Sequence, residues 1–167
     1  MLRAGALYWV WMTSALNKGA KAGKGRVLAI DYGRKRIGLA ISDELEMTAR
    51  PLETLSRTNR RNDLRRLREL ARKHEVARIV VGNPLRLDGS AGEMAEQAAR
   101  FAARIQKELG LPVEMMDERL SSWEAQETTA ATKTKRNKKA AGVDAVAAAV
   151  ILRDFLEREQ IRKPTRK

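Results

Sequence analysis

The sequence has no cysteine and only one histidine, His74, among its 167 residues. Without cysteine the chain forms no disulfide and no thiolate metal site, and a single imidazole excludes a zinc site built from several histidines. A bound metal ion would need oxygen ligands, which favours Mg²⁺ or Mn²⁺. The absence of cysteine also agrees with a reducing compartment, so we expect a cytoplasmic protein.

Long apolar runs are missing as well. The most apolar N-terminal stretch, residues 4–12, is too short for a transmembrane helix, which needs about 20 residues, and we expect no membrane partner. Residues 17–25 have the Gly, Lys and Ala composition of a linker. We interpret residues 1–25 as a disordered extension, residues 26–158 as one folded domain and residues 159–167 as a basic tail.

Acidic residues are scarce in three segments, and the net charge of +13 arises there. Residues 1–26 carry five basic residues and no acid, and residues 158–167 carry a net charge of +4. Residues 133–139 carry five basic residues and no acid. Basic segments around a nearly neutral domain favour a polyanion, and we expect a nucleic-acid partner. The internal basic residues are Lys133, Lys135, Arg136, Lys138 and Lys139.

Apolar periodicity and turn residues predict the element order β-β-β-α-β-α-β-α-α. The first two strands are antiparallel because the link between them is too short for a parallel crossover. Alternating units then predict an α/β fold, a mixed five-stranded sheet with three antiparallel strands first and helices on both faces. Strands are predicted at residues 27–30, 37–41, 51–55, 77–82 and 112–116, and helices at 59–75, 90–109 or 92–109, 122–131 and 142–158.

The helix predicted at residues 59–75 carries arginines opposite its apolar face. A solvated face is the simpler interpretation of such a pattern, and contact with phosphate is the alternative. The residues concerned are Arg60, Arg61, Arg65, Arg66 and Arg68.

The predicted first hairpin, RVLAIDYGRKRIGLAISD, combines a carboxylate with glycines and a basic turn. Asp31 follows an apolar strand, and a buried charge without a partner is strongly unfavourable. Gly33 and Gly38 allow close approach to the backbone, and Lys35 and Arg36 add positive charge. This combination suits a metal ion that holds a phosphate, whereas an aspartate that caps its own turn is the alternative.

Other acidic residues that interrupt apolar stretches lie after the last predicted strand, at Asp117 and Glu118, and in the first turn of the last helix, at Asp144. Separately, Asp117 suits a turn and Asp144 a helix dipole. Together with Asp31 they can converge at one end of a sheet, where carboxylates repel unless a divalent ion neutralises them. Such a site can hydrolyse phosphodiesters by a two-metal mechanism.

Four stretches resemble the YqgF, or RuvX, family of bacterial proteins: RVLAIDYGRKRIGLAISD, IVVGNPLRLDGS, MMDERLSSWEA and KKAAGVDAVAAAVILRDFL. They follow the family order and span residues 26–156. Departures from the family pattern, at Asn83, Arg86 and the pair Ser121-Ser122, do not affect the acidic residues. Residues 1–25 have no counterpart in the pattern.

The resemblance implies a ribonuclease-H-like fold and a metal-dependent nuclease that trims the 5′ end of precursor 16S ribosomal RNA, with ribosomal particles as partners. It also implies that Asp31, Glu118 and Asp144 form the catalytic and metal-binding triad, with Asp117 as the alternative to Glu118. Lys35, Arg36, Arg119 and the basic residues of 133–139 are the expected nucleic-acid contacts. The oligomeric state stays open.

Three other interpretations remain. Family members were earlier regarded as Holliday junction resolvases, and the sequence does not decide between RNA and a DNA junction. A non-catalytic RNA-binding module with the same fold is a further alternative, although the intact triad argues against it. An actin-like or sugar-kinase ATPase would need two such domains, which a chain of 167 residues does not supply.

Overall fold

The structure is a computed structural model that describes residues 25–119 and 142–162. The elements in this part of the chain, in order, are β1 (Arg26–Tyr32), β2 (Arg36–Ser42), β3 (Ala49–Ser56), α1 (Arg60–Lys73), β4 (Val76–Asn83), α2 (Glu93–Leu109), β5 (Val113–Asp117) and α3 (Val143–Arg162).

The five strands form one mixed sheet in the order β3-β2-β1-β4-β5. β2 runs antiparallel to both β1 and β3, whereas β4 runs parallel to both β1 and β5. This arrangement confirms the fold class predicted from the sequence. β1, β4 and β5 all finish at the same end of the sheet, which we call the carboxyl end, and β2 begins there.

Helices cover both faces of the sheet. Leu28 and Ile30 of β1 lie in the core formed with α1 and α2, whereas Val27 and Ala29 lie in the core formed with α3. Because successive side chains of a strand point to opposite faces, Asp31 is directed to the α3 face. Side-chain alternation thus places an acid beside the helix that carries Asp144.

The helix ends follow from local sequence. Asn59 caps α1, since its side-chain oxygen accepts a hydrogen bond of 3.0 Å from the backbone N–H of Asn62. Gly92 is the N-cap of α2, and Gly110 ends this helix in the left-handed conformation with φ of 69°. β4 extends one residue beyond the predicted end, through Asn83. α3 continues to Arg162, four residues into the predicted basic tail.

Several predictions fall outside the described residues. These are the disordered extension up to residue 24, the helix at 122–131, the basic residues of 133–139 and the end of the basic tail at 163–167. Within residues 25–119 and 142–162, no helix combines the length and apolar character needed to cross a bilayer.

Candidate active site

Asp31 lies near the end of β1, the central strand of the sheet, and pairs in register with Gly38 of β2. Its neighbour strands β2 and β4 restrict the backbone on both sides. Gly38 is required here because a Cβ at this position would overlap the backbone oxygen of Asp144. The glycine therefore lets the first turn of α3 rest on the sheet beside Asp31.

Glu118 directly follows β5, and its backbone N–H donates a hydrogen bond of 3.3 Å to the carbonyl oxygen of Asn83. A second glycine makes room for its side chain. A Cβ at Gly82 would overlap Glu118 Oε1 and lie 2.7 Å from Cδ1 of Ile151 on α3. The Glu118 carboxylate thus occupies the space between β4 and α3 that the missing side chain leaves.

Two partly buried carboxylates have raised pKa values. Burial, followed by repulsion from Asp144, raises the pKa of Asp31 from 3.8 to about 6. Burial, followed by repulsion from Asp31 and Asp117, raises the pKa of Glu118 from 4.5 to about 7. Asp31 is therefore the acid that interacts with both Glu118 and Asp144, as a central member of the predicted triad would.

Asp144, in the first turn of α3, forms an ion pair with an arginine. Nε of Arg36 lies 2.8 Å from Oδ2 of Asp144, and both side chains remain partly exposed. Arg36 is the first residue of β2, so this ion pair joins the beginning of α3 to the basic turn after Asp31. Sequence analysis predicted Arg36 as a nucleic-acid contact and did not predict this pairing.

The three predicted triad members lie at the carboxyl end of the sheet on its α3 face. Even so, no three histidine, cysteine, aspartate or glutamate side chains of the described ranges form a ready-made metal-binding group. The expectation from the sequence that these carboxylates lie close enough to share metal ions stays a prediction.

The donor chemistry nevertheless fits a hard divalent cation, because the site offers carboxylate oxygens without nitrogen or sulfur ligands. Burial and repulsion from neighbouring acids raise the pKa values of Asp31 and Glu118, so the ionised forms of both carboxylates are disfavoured here. A divalent ion would favour these ionised forms. The space beside Gly82, which a larger residue would fill, keeps the Glu118 carboxylate at the site.

Asp117 is engaged elsewhere. Its carboxylate accepts hydrogen bonds from the side chain of Arg119, including one of 2.6 Å, and this pairing lowers the pKa of Asp117. Glu118 has instead a raised pKa and the interaction with Asp31. Among the described residues, electrostatics thus favours Glu118 over Asp117 as the partner of Asp31. Arg119, a predicted nucleic-acid contact, is exposed but paired with Asp117.

Arg57, which directly follows β3, holds the turn between β1 and β2. The sequence did not predict it as a site residue. Its backbone N–H donates to the carbonyl oxygen of Lys35 at 2.9 Å, and its side chain donates to Gly33 O at 3.1 Å. The same guanidinium stacks on Tyr32 and pairs with buried Asp63 of α1. Lys35 stays exposed at the tip of this braced turn.

Gly38 was predicted to allow close approach to the backbone, whereas Gly82 was interpreted only as the end of a strand, although it makes space for Glu118. An isolated glycine inside a strand pattern is a signal for close approach of another group, and it was present at both Gly38 and Gly82.

Comparisons with known proteins agree with this geometry. The sequence profile of the RuvX family, described as Holliday junction resolvase, matches residues 25–158. A protein of Koribacter versatilis, provisionally named pre-16S rRNA nuclease, is 47% identical over 137 residues, covering 82% of this chain and 90% of its own. A protein of Geobacillus kaustophilus with the same name is 42% identical over 134 residues, covering 79% of this chain and 97% of its own.

A solved structure of similar fold is that of T. thermophilus RuvC in complex with a Holliday junction substrate. Its TM-score is 0.55 at 14% identity, and the match covers 81% of this chain and 96% of that one. At this identity the likeness concerns the fold, which is the ribonuclease-H-like fold expected from the sequence. The extent of the profile match and the identity to full-length relatives show that the chain belongs to the RuvX family.

Proposed function

We propose that this protein is a divalent-metal-dependent nuclease that hydrolyses phosphodiester bonds in precursor 16S ribosomal RNA. The observation that carries the proposal is the pair of partly buried carboxylates, Asp31 and Glu118, which lie at the carboxyl end of the sheet beside the first turn of α3 and have raised pKa values. The names of the relatives at 42% and 47% identity support the substrate.

Asp31, Glu118 and Asp144 are the residues that would hold the cation, and Mg²⁺ or Mn²⁺ suits their oxygen donors. When bound, such ions activate a water nucleophile and stabilise charge on the attacking and leaving oxygens of a phosphodiester. Asp31 lies on the most restricted strand and interacts with both other acids, so we assign it the central position among the ligands.

Cation binding at this site would be accompanied by proton release. With a pKa of about 7, Glu118 carries a proton in a large fraction of molecules at neutral pH, and the proton must leave before its oxygen can bind a cation. Arg36 is paired with Asp144. If Asp144 held a cation instead, the guanidinium of Arg36 would be available to a substrate phosphate, next to the exposed Lys35.

A second candidate is cleavage of a four-way DNA junction, which the description of the matching family favours. The third candidate is RNA binding without cleavage, which would not require two acids with raised pKa values such as Asp31 and Glu118. Since the relatives at 42% and 47% identity carry the RNA-directed name, we place the ribosomal precursor first. We also propose that the protein acts in the cytoplasm on ribosomal particles.

The test is cleavage of a precursor 16S rRNA fragment and of a four-way junction, each with Mg²⁺, Mn²⁺ or EDTA. We expect metal-dependent cleavage of the RNA by the wild type and none by Asp31→Asn. Asp43→Asn is the matched control, because Asp43 follows β2 at the opposite end of the sheet and is only partly buried. Preferential cutting of the junction would replace the first candidate by the second, and RNA binding without cleavage would refute both.

A further inference from the structure

Helix α1 carries a row of arginines that the candidate active site does not use. Arg61, Arg65, Arg68 and Arg72 follow one another at spacings of four, three and four residues, so they lie along one stripe of the helix. The stripe flanks the buried side of α1, which packs on the sheet through Leu64, Leu67 and Ala71.

Most of the row lacks an internal partner. Arg68 pairs with Glu108 of α2 at 3.5 Å. Within residues 25–119 and 142–162, Arg61, Arg65 and Arg72 make no ion pair, and the same holds for Arg60 at the start of the helix. In contrast, several exposed arginines elsewhere in this part of the chain are paired, as in Arg34–Glu93, Arg36–Asp144 and Arg100–Glu96.

The repulsion within the row is unfavourable for the isolated helix, and Glu69, four residues after Arg65 and three before Arg72, offsets only part of it. Like charges three or four residues apart repel each other on a helix surface, and the row contains three such successive neighbours. Arg60 and Arg61 also lie in the first turn, where the helix dipole disfavours positive charge. A polyanion bound along the stripe would remove both effects, whereas solvent alone only screens them.

The row begins next to the candidate active site. Arg57 links the two places, since its backbone N–H donates to Lys35 O at 2.9 Å and its Nε lies 3.3 Å from Asp63 Oδ2 in the first turn of α1. Lys35 belongs to the turn that follows Asp31 and β1. From this turn, α1 leads away from the carboxyl end on the face opposite α3.

We propose that Arg60, Arg61, Arg65 and Arg72 bind the sugar-phosphate backbone of the substrate RNA outside the segment that is cleaved. The identity of the nucleic acid rests on the proposed function. Arg61 and Arg72 are separated by eleven residues, about 16 Å along the helix axis. A strand that leaves the carboxylates past Lys35 therefore meets a basic surface long enough for several phosphates.

The test compares two triple variants that each lose three positive charges. The first is Arg61→Gln/Arg65→Gln/Arg72→Gln on α1. The matched control is Arg100→Gln/Arg104→Gln/Lys107→Gln on α2, where all three side chains are exposed on the outer surface. Binding of labelled single-stranded RNA is measured in EDTA over a range of salt concentrations, for a series of RNA lengths.

We expect the α1 variant to flatten the log–log salt slope by about two units, because each lost single-strand phosphate contact removes about 0.7. The loss of affinity should increase with RNA length, and the α2 control should keep the wild-type slope. Single-stranded DNA of the same sequence should show the same loss, since the contacts are to phosphate. Arg65→Gln alone should lower the slope by about 0.7, which tests the idea if the triple variant does not fold.

Equal losses in the two triple variants would overturn the proposal in favour of net charge alone. An unchanged slope in the α1 variant would show that the row does not contact the strand, and a loss limited to RNA would exclude recognition through phosphate. Binding is measured without metal and without turnover. A wild type that binds through α1 but cleaves nothing would therefore refute the proposed function and leave this inference standing.

Discussion

Replacing Asp31 by asparagine should make the metal-free protein more stable while removing its activity. The substitution preserves the size of the side chain and removes its charge. In the wild type, burial and the neighbouring Asp144 raise the pKa of Asp31 from 3.8 to about 6. The ionised carboxylate is thus disfavoured in the folded protein, and folding becomes less favourable as that group loses its proton.

The magnitude follows from the shift. A rise from 3.8 to about 6 is about two pKa units, and at about 1.36 kcal/mol per unit it corresponds to about 3 kcal/mol. The sign is fixed by linkage. Stability is retained at low pH, where the folded and unfolded forms are both protonated, and is lost as the pH rises through the interval from 3.8 to about 6.

The assay is thermal unfolding of wild type and Asp31→Asn in EDTA between pH 4 and pH 8. We expect the two melting temperatures to be similar near pH 4 and the variant to melt roughly 6–12 °C higher at pH 8, at 2–4 °C per kcal/mol for a chain of this size. The difference between the two melting temperatures should widen up to about pH 7, because loss of the Asp31 charge also removes its repulsion of the Glu118 carboxylate.

Asp43→Asn provides a control of opposite sign. Backbone hydrogen bonds from Thr48 and Met47 lower the pKa of Asp43, so its ionised form favours folding and its replacement should not stabilise the protein at high pH. A stability gain for Asp31→Asn that is the same at pH 4 and pH 8 would refute charge burial as its cause. A loss at pH 8 would show that the Asp31 carboxylate makes favourable interactions. Mg²⁺ should narrow the difference in melting temperature between Asp31→Asn and the wild type, because it should stabilise the wild type alone.

Three further predictions concern the same site. Gly82→Ala should displace the Glu118 carboxylate and reduce the cleavage rate, measured by single-turnover kinetics, about 100-fold. The melting temperature should be affected less than the cleavage rate. Undiminished cleavage would show that the space beside Gly82 is unimportant. In Gly38→Ala, the added Cβ would contact backbone atoms rather than a side chain, so the first turn of α3 at Asp144 should move. The free energy of unfolding, measured with urea, should fall by about 1–3 kcal/mol. An unchanged value would contradict the close packing. Affinity for Mg²⁺, measured by calorimetry, should rise between pH 5 and pH 8 as Asp31 and Glu118 lose protons, with proton release that varies with pH; pH-independent affinity would argue against both as ligands.

The fold was predictable because its local signals agree with its tertiary arrangement. Short β-branched runs and the brief β1–β2 link specify an antiparallel hairpin, and the later strand–helix alternation specifies parallel pairing. The end of α2 was marked by Gly110, whose left-handed conformation is one that glycine adopts easily. Strand and helix ends were less accurate, as at Asn83 and Arg162, because the last pairings depend on packing rather than propensity.

Identity of the acidic residues was available from the sequence, but their environment was not. Asp31, Asp117, Glu118 and Asp144 stand out because acids rarely interrupt apolar stretches without a reason, and the family resemblance selects Glu118 over Asp117. The raised pKa values of Asp31 and Glu118 need burial and proximity to other acids, which arise only when β1, β5 and α3 meet. The Arg36–Asp144 pair likewise joins residues more than one hundred positions apart.

The sequence by itself determined the order of the strands along the chain, the oxygen-only ligand set and the basic character of α1, since each depends on residue type and local spacing. Only the tertiary structure decided which arginines have partners, because ion pairs such as Arg57–Asp63 and Arg68–Glu108 form between elements. It also decided why Gly38 and Gly82 must lack side chains. A close approach between a strand and a helix leaves no mark in composition or periodicity beyond the glycine itself, since the atoms that would clash belong to distant parts of the chain.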